Sequence, residues 1–109
     1  MSAVVDLDLI LGADYNFAVV YKTIAAGVTT PVDISGYTVF LEFSSSKNNY
    51  AENILCTKNL VGASGEVDLY IPSLAIDELY DLNTRRWRLR LTFPYVAIVP
   101  AYGGVNFDG

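Results

Sequence analysis

Residues 84–93 read TRRWRLRLTF, and the parity of this stretch decides the fold. In an extended chain, successive side chains point to opposite faces. Trp87, Leu89, Leu91 and Phe93 then share one face and point into a core, while Arg86, Arg88 and Arg90 share the other. The stretch reads as a half-buried β-strand, apolar on one side and basic on the other. All four arginines of the chain lie in it, at 85, 86, 88 and 90.

Period-2 patterning continues outward in both directions. In GYTVFLEF (36–43), Tyr37, Val39, Leu41 and Phe43 share a face, with Phe40 and Glu42 opposite. In EVDLYI (66–71), Val67, Leu69 and Ile71 point inward and Glu66, Asp68 and Tyr70 outward. VVDLDLIL (4–11) sets Val5, Leu7, Leu9 and Leu11 against Asp6 and Asp8, and YNFAVVYK (15–22) aligns Phe17, Val19 and Tyr21. ILCTKNLV (54–61) reads as a strand with mixed faces. Residues 95–107 form a last strand after a bend at Pro94; Pro100 and Gly103-Gly104 mark it as an edge strand or a bulged one. Residues 24–35 read as a loop broken by Gly27 and Pro31, and 44–53 as a polar loop. PSLAIDELYDLN (72–83) breaks the alternation. It predicts one or two helical turns capped by Ser73, with Leu74 and Leu79 facing the core and Asp77 and Glu78 exposed. The sum is about seven short strands and one short helix, the count of an immunoglobulin-like antiparallel β-sandwich. It is an all-β single domain over residues 1–109.

Composition agrees and narrows the function. The chain is 52% hydrophobic and 17% charged, a globular balance. Net charge is −5, and before residue 84 there are 11 carboxylates against 3 lysines. That surface repels phosphate backbones and anionic membranes, so neither nucleic acid nor membrane is expected as a partner. The opening residues lack a basic segment and carry Asp6 and Asp8, so no export signal is read, and no apolar run is long enough for a spanning helix. Cys56 is the single cysteine and reads as a small core residue. The chain has no histidine, which removes Ser-His-Asp and Cys-His catalysis and most zinc sites. Asp6 with Asp8, and Glu66 with Asp68, are outward pairs two residues apart, too few ligands for a calcium loop. No cofactor and no enzymatic activity are expected. The aromatics Tyr15, Phe17, Phe40, Phe43 and Trp87 read as core, leaving Tyr50, Tyr95 and Tyr102 as the candidates for a sugar platform.

Arg86, Arg88 and Arg90 are expected beside Glu42 of the neighbouring strand. Three cations against one carboxylate leave positive charge over. Arg86, Arg88, Arg90, Glu42, Tyr102 and Phe107 are therefore the candidate protein–protein contacts, together with loop 44–53 and the glycine-rich segment 103–109.

Three stretches in order carry a resemblance: LILGADYNFAVVYK, TTPVDISGYTVFLEF and GEVDLYIPSLAIDELYDLNTRRWRLRL. They resemble a family of small bacteriophage virion domains found in baseplate upper and tail-fibre-attachment proteins. The matching positions are Gly12 and Phe17, then Pro31 through Thr38, then Gly65, Val67, Leu69, the 73–80 helix, Trp87, Leu89 and Leu91. Pro31-Val32-Asp33-Ile34-Ser35-Gly36-Tyr37-Thr38 is the specific part, and the likeness runs from about residue 7 to 107. Physically it is a corner: Pro31 stiffens the approach, Asp33 and Ser35 bond turn amides, and Gly36 permits the bend. The resemblance implies an immunoglobulin-like fold. It also implies a structural accessory role on the tail, neck or baseplate of a virion, in contact with other phage proteins and copies of itself. Synthesis would be in the host cytoplasm. The alternatives are a capsid decoration protein of the same fold and a carbohydrate-binding attachment module. Terminal segments are expected to order on neighbouring subunits by strand addition.

Overall fold

A computed structural model describes residues 3–45 and 49–108. In chain order the strands are β1 (Ala3–Val4), β2 (Leu7–Ile10), β3 (Tyr15–Val20), β4 (Lys22–Ala25), β5 (Val28–Pro31), β6 (Thr38–Ser44), β7 (Ala51–Glu52), β8 (Thr57–Val61), β9 (Glu66–Ile71), β10 (Arg86–Phe93) and β11 (Val96–Asp108), with α1 (Ser73–Asp81) between β9 and β10. The fold is all-β and sandwich-like. Its first sheet has the order β1-β11-β10-β6-β7, with β2 also on β11; its second has the order β3-β9-β8.

The parity read from residues 84–93 holds through most of β10. Trp87, Leu89 and Leu91 are at most 1% exposed. They meet Leu41 and Phe43 of β6 and, across the sandwich, Val67, Leu69 and Ile71 of β9 in one core. The Trp87 ring packs edge-on against Phe17 of β3, with centroids 5.4 Å apart. Each such side chain contributes about 1.5–3 kcal/mol by leaving water. Phe93 departs from the pattern and is half exposed. β10 has by then run past the core, and Phe93 stacks on Tyr37 at the sandwich end, with centroids 5.2 Å apart.

The Pro31–Thr38 corner has the expected construction. Asp33 Oδ1 accepts the Ser35 amide at 2.9 Å, and hydrogen bonds from the Ser35 side chain and this amide hold the Asp33 carboxyl below its usual range. Tyr37 N donates to Ile34 O at 3.1 Å across a turn whose third residue, Gly36, has φ +85°. A positive φ there is what a type II turn demands. Ile34 is driven fully into the core.

Several expectations need correction. Eleven strand segments replace about seven: residues 24–35 are not a plain loop but hold part of β4 and all of β5, the expected polar loop 44–53 contains β7, and β1 is separate from β2. β4 and β5 form a hairpin closed by Ala26 and Gly27, both at positive φ (52° and 78°), the requirement of a tight type I′ connection. The expected strand 54–61 is ordered as β8 only from Thr57.

The helix is longer than one or two turns, at 9 residues, and its phase differs. Ala75, Ile76 and Leu79 are buried, whereas Leu74 is 73% exposed. Positions 74 and 79 are five apart, about 140° around a helix, so they cannot share one face. Ser73 makes no side-chain cap; instead its amide donates to Asp14 Oδ1 at 2.9 Å.

β11 has the bulge but is not an edge. Leu89 pairs with Ala101 and Leu91 with Ile98, so Val99 and Pro100 oppose Arg90 alone. Pro100, lacking an N–H, sits where the ladder is interrupted anyway. On its far side β11 pairs in parallel with β1 and β2. The described terminal segments are thus ordered within the chain, contrary to the strand addition expected of them. Gly103 makes this close approach feasible: a Cβ there would lie 1.9 Å from Val5 O. Trp87 Nε1 donates to that same oxygen at 2.7 Å.

Candidate functional site: the arginine face

The outer face of the first sheet is set by register. Arg88 lies between Glu42 of β6 and Tyr102 of β11. Arg86 lies between Ser44 and Gly104, and Arg90 opposite Phe40. Five of the six candidate contact residues are therefore brought together: Arg86, Arg88, Arg90, Glu42 and Tyr102. Phe107 is not among them. Its parity turns it to the opposite face of β11, half-buried against the core and edge-on to Tyr80 of α1 at 5.4 Å. Of the other candidate segments, residues 46–48 of the loop and Gly109 lie outside the described residues.

Glu42 stands on the outer face beside the arginines, as expected, yet it is only 6% exposed. Its own partners cover it. Oε1 accepts from Arg88 Nε at 2.8 Å and Arg90 Nε at 2.9 Å, and Oε2 from Arg90 Nη2 at 3.2 Å. Burial pushes the Glu42 carboxyl up, but the hydrogen bonds from Arg90 and Arg88 outweigh it and hold the group below its ordinary range. Arg90 is pushed up by the same bond.

Aromatic rings pin both guanidinium groups. Arg88 lies over Tyr50 at 4.1 Å and Arg90 over Phe40 at 4.2 Å from the centroids. Such contacts add about 0.5–1 kcal/mol at exposed sites. Phe40, expected in the core, is thus an outer-face residue. Tyr50 lies within the polar loop 44–53, and nothing in the sequence singles it out as the ring beneath Arg88.

Arg86 and Arg85 make no ion pair among the described residues. With Tyr50, Tyr102, Gly103 and Gly104 they line a shallow groove of about 390 Å³. Its floor is fixed by the Gly104 amide, which donates to Asp6 Oδ1 at 2.9 Å. Asn106 likewise donates to Asp8 Oδ1 at 3.1 Å, so both carboxylates of the VVDLDLIL strand serve the β2–β11 seam. The three tyrosines named as a sugar platform do not form one: Tyr50 and Tyr102 flank this groove, while Tyr95 projects from the β10–β11 turn at the other end of the strand pair.

Cys56 is 6% exposed, and burial pushes its thiol up to about 12. At neutral pH it is a protonated core group without nucleophilic character. No group of three or more Cys, Asp or Glu residues is placed to hold a metal ion among the described residues, and none of their helices is long and apolar enough to cross a membrane. No protein-family model matches this chain, and no curated protein sequence does.

Proposed function

We propose that this chain is a non-enzymatic structural subunit of a bacteriophage particle, an accessory protein of the tail, neck or baseplate that works through protein–protein contacts in several symmetric copies. The resemblance in sequence supports the setting, and its specific stretch, Pro31–Thr38, forms a packed corner rather than a reactive site. One observation carries the contact role. Arg88 and Arg90 are locked over Glu42, Tyr50 and Phe40, which makes a rigid platform presenting Tyr102 with Arg85 and Arg86, and these two make no ion pair among the described residues. Arginine and tyrosine on a pre-organised sheet are the residue types that protein interfaces favour.

The test is to count this chain against the major capsid protein in purified particles by quantitative mass spectrometry. A few to a few dozen copies support the tail, neck or baseplate. Hundreds of copies would move the protein to the capsid exterior as a decoration protein. Absence from the particle overturns the structural role. A carbohydrate-binding reading is favoured by one feature, the two tyrosines flanking the groove. It fails if Tyr102→Ala leaves glycan retention unchanged.

A further inference from the structure

The outer face of the second sheet has the opposite electrostatic character. Three rows cross it: Asn59-Asp68-Ala18, Val61-Glu66-Val20 and Thr57-Tyr70-Asn16. None of these nine residues is a lysine or arginine. Asp14, at the end of the face, adds a third carboxylate and bonds Tyr70. Lys58, the cation of β8, has the other parity, opposite Leu69, and pairs with Glu52. Glu66 and Asp68 stand side by side, and the hydrogen bond and repulsion from Asp68 hold the Glu66 carboxyl above its ordinary range. Among the described residues this pair has no ion-pair partner. The first sheet, on the opposite side of the sandwich, has Arg85 and Arg86, which make no ion pair among the described residues either.

We propose that copies of this chain associate head to tail, with the groove of Arg85, Arg86 and Tyr102 in one copy seated on the Glu66–Asp68 face of the next. The inference rests on the structural role proposed above and specifies its contact. Because the two surfaces are different and lie on opposite sides of the fold, the contact is heterologous. It builds a closed ring or an open stack, not a two-fold dimer. Exposed Ala18, Val20 and Val61 supply small apolar surface between the charges. Three strands of five or six residues span about 14 by 20 Å, well short of the roughly 800 Å² per partner of a stable complex. Association is therefore weak in dilute solution and strengthens when a particle concentrates the copies. Like any contact between exposed charges, it is salt-sensitive.

The test is sedimentation of the wild-type chain up to millimolar concentration at about 10 mM ionic strength, where charges act over about 30 Å. Two charge-reversed chains, Arg85→Glu with Arg86→Glu and Glu66→Lys with Asp68→Lys, are run alone and mixed. All four positions are at the surface, and circular dichroism checks that each variant is folded. The wild type is expected at least to double its weight-average mass, and to lose this in high salt. Each variant alone should stay monomeric, since its two faces then carry like charge. An equimolar mixture should associate again, because every contact between unlike variants is complementary.

A wild type that stays monomeric throughout overturns the proposal. So does either charge-reversed chain that alone associates as well as the wild type, or a mixture that stays monomeric. A monomeric wild type found in many copies per particle would remove the head-to-tail contact and leave the structural role standing. Association of a chain absent from particles would remove the role and leave the contact.

Discussion

Replacing Glu42 by glutamine keeps the shape of the outer face and removes the carboxylate that Arg88 and Arg90 share. Two guanidinium groups then lie side by side over a neutral amide. At an effective dielectric of about 20, a unit pair at about 4 Å is worth about 4 kcal/mol. Breaking a fully buried pair costs about 3–5 kcal/mol. Here the arginine side chains keep 32% and 28% exposure, so water recovers part of the loss. We expect Glu42→Gln to destabilise by about 2–3 kcal/mol, a fall in Tm of about 10–20 °C for a domain of this size. The pH dependence follows from the sign of the shift. The folded carboxyl is held below its ordinary value of 4.5. Its stabilisation is complete above that value and is lost as pH falls through the lowered one. The gap between wild type and Glu42→Gln, measured by thermal circular dichroism, should be full at pH 7 and close in acid. Arg86→Ala, which removes no ion pair, should stay within about 0.5 kcal/mol of wild type at pH 7. Equal stability of Glu42→Gln and wild type at pH 7, or a gap that is unchanged at pH 3, would refute the view that this cluster stabilises the sheet.

Gly103→Ala forces a Cβ into Val5 O and should cost more than about 2 kcal/mol. It should also break the Trp87–Val5 bond, and since Trp87 is the single tryptophan, a red-shifted emission maximum reports it directly. Cys56, with its thiol pushed up to about 12, should resist a thiol reagent at pH 8 in the native protein and react at once in denaturant; rapid native labelling would contradict its burial. Asp14→Ala removes the acceptor for the first amide of α1 and should cost about 1 kcal/mol in chemical denaturation; no loss would mean that water replaces the cap.

The parts of the fold legible in the sequence are those where one face meets the core. In β10, β6 and β9, alternation of large apolar with polar residues fixes the inward side, and an immunoglobulin-like strand order sets the three arginines beside Glu42; that Arg88 is the residue directly opposite it comes from the structure. The β4–β5 hairpin was not legible because all its residues are exposed, which leaves no apolar face to read, and its turn is Ala-Gly rather than Asn-Gly. Leu74 misled because side-chain size was weighed above helical phase, and small Ala75 took the buried place. The helix cap came from Asp14, 59 residues away, beyond any local signature. At the site, the Arg–Glu core was visible from parity alone. Tyr50 under Arg88 depends on a turn whose path the residues do not announce.

The parallel seam between β2 and β11 joins Leu7 to Val105, 98 residues later. During synthesis at about 5–20 residues per second, the first strand waits about 5–20 s for its partner to be made. Over that interval β2, whose Leu7 and Leu9 are fully buried in the finished protein, lacks the strand it pairs with. A topology so dominated by distant pairings folds in milliseconds to seconds once complete. The time-limiting event for a newly made copy is therefore translation of its final strand, and a ribosome-bound chain stalled before Gly103 should remain open to proteases throughout.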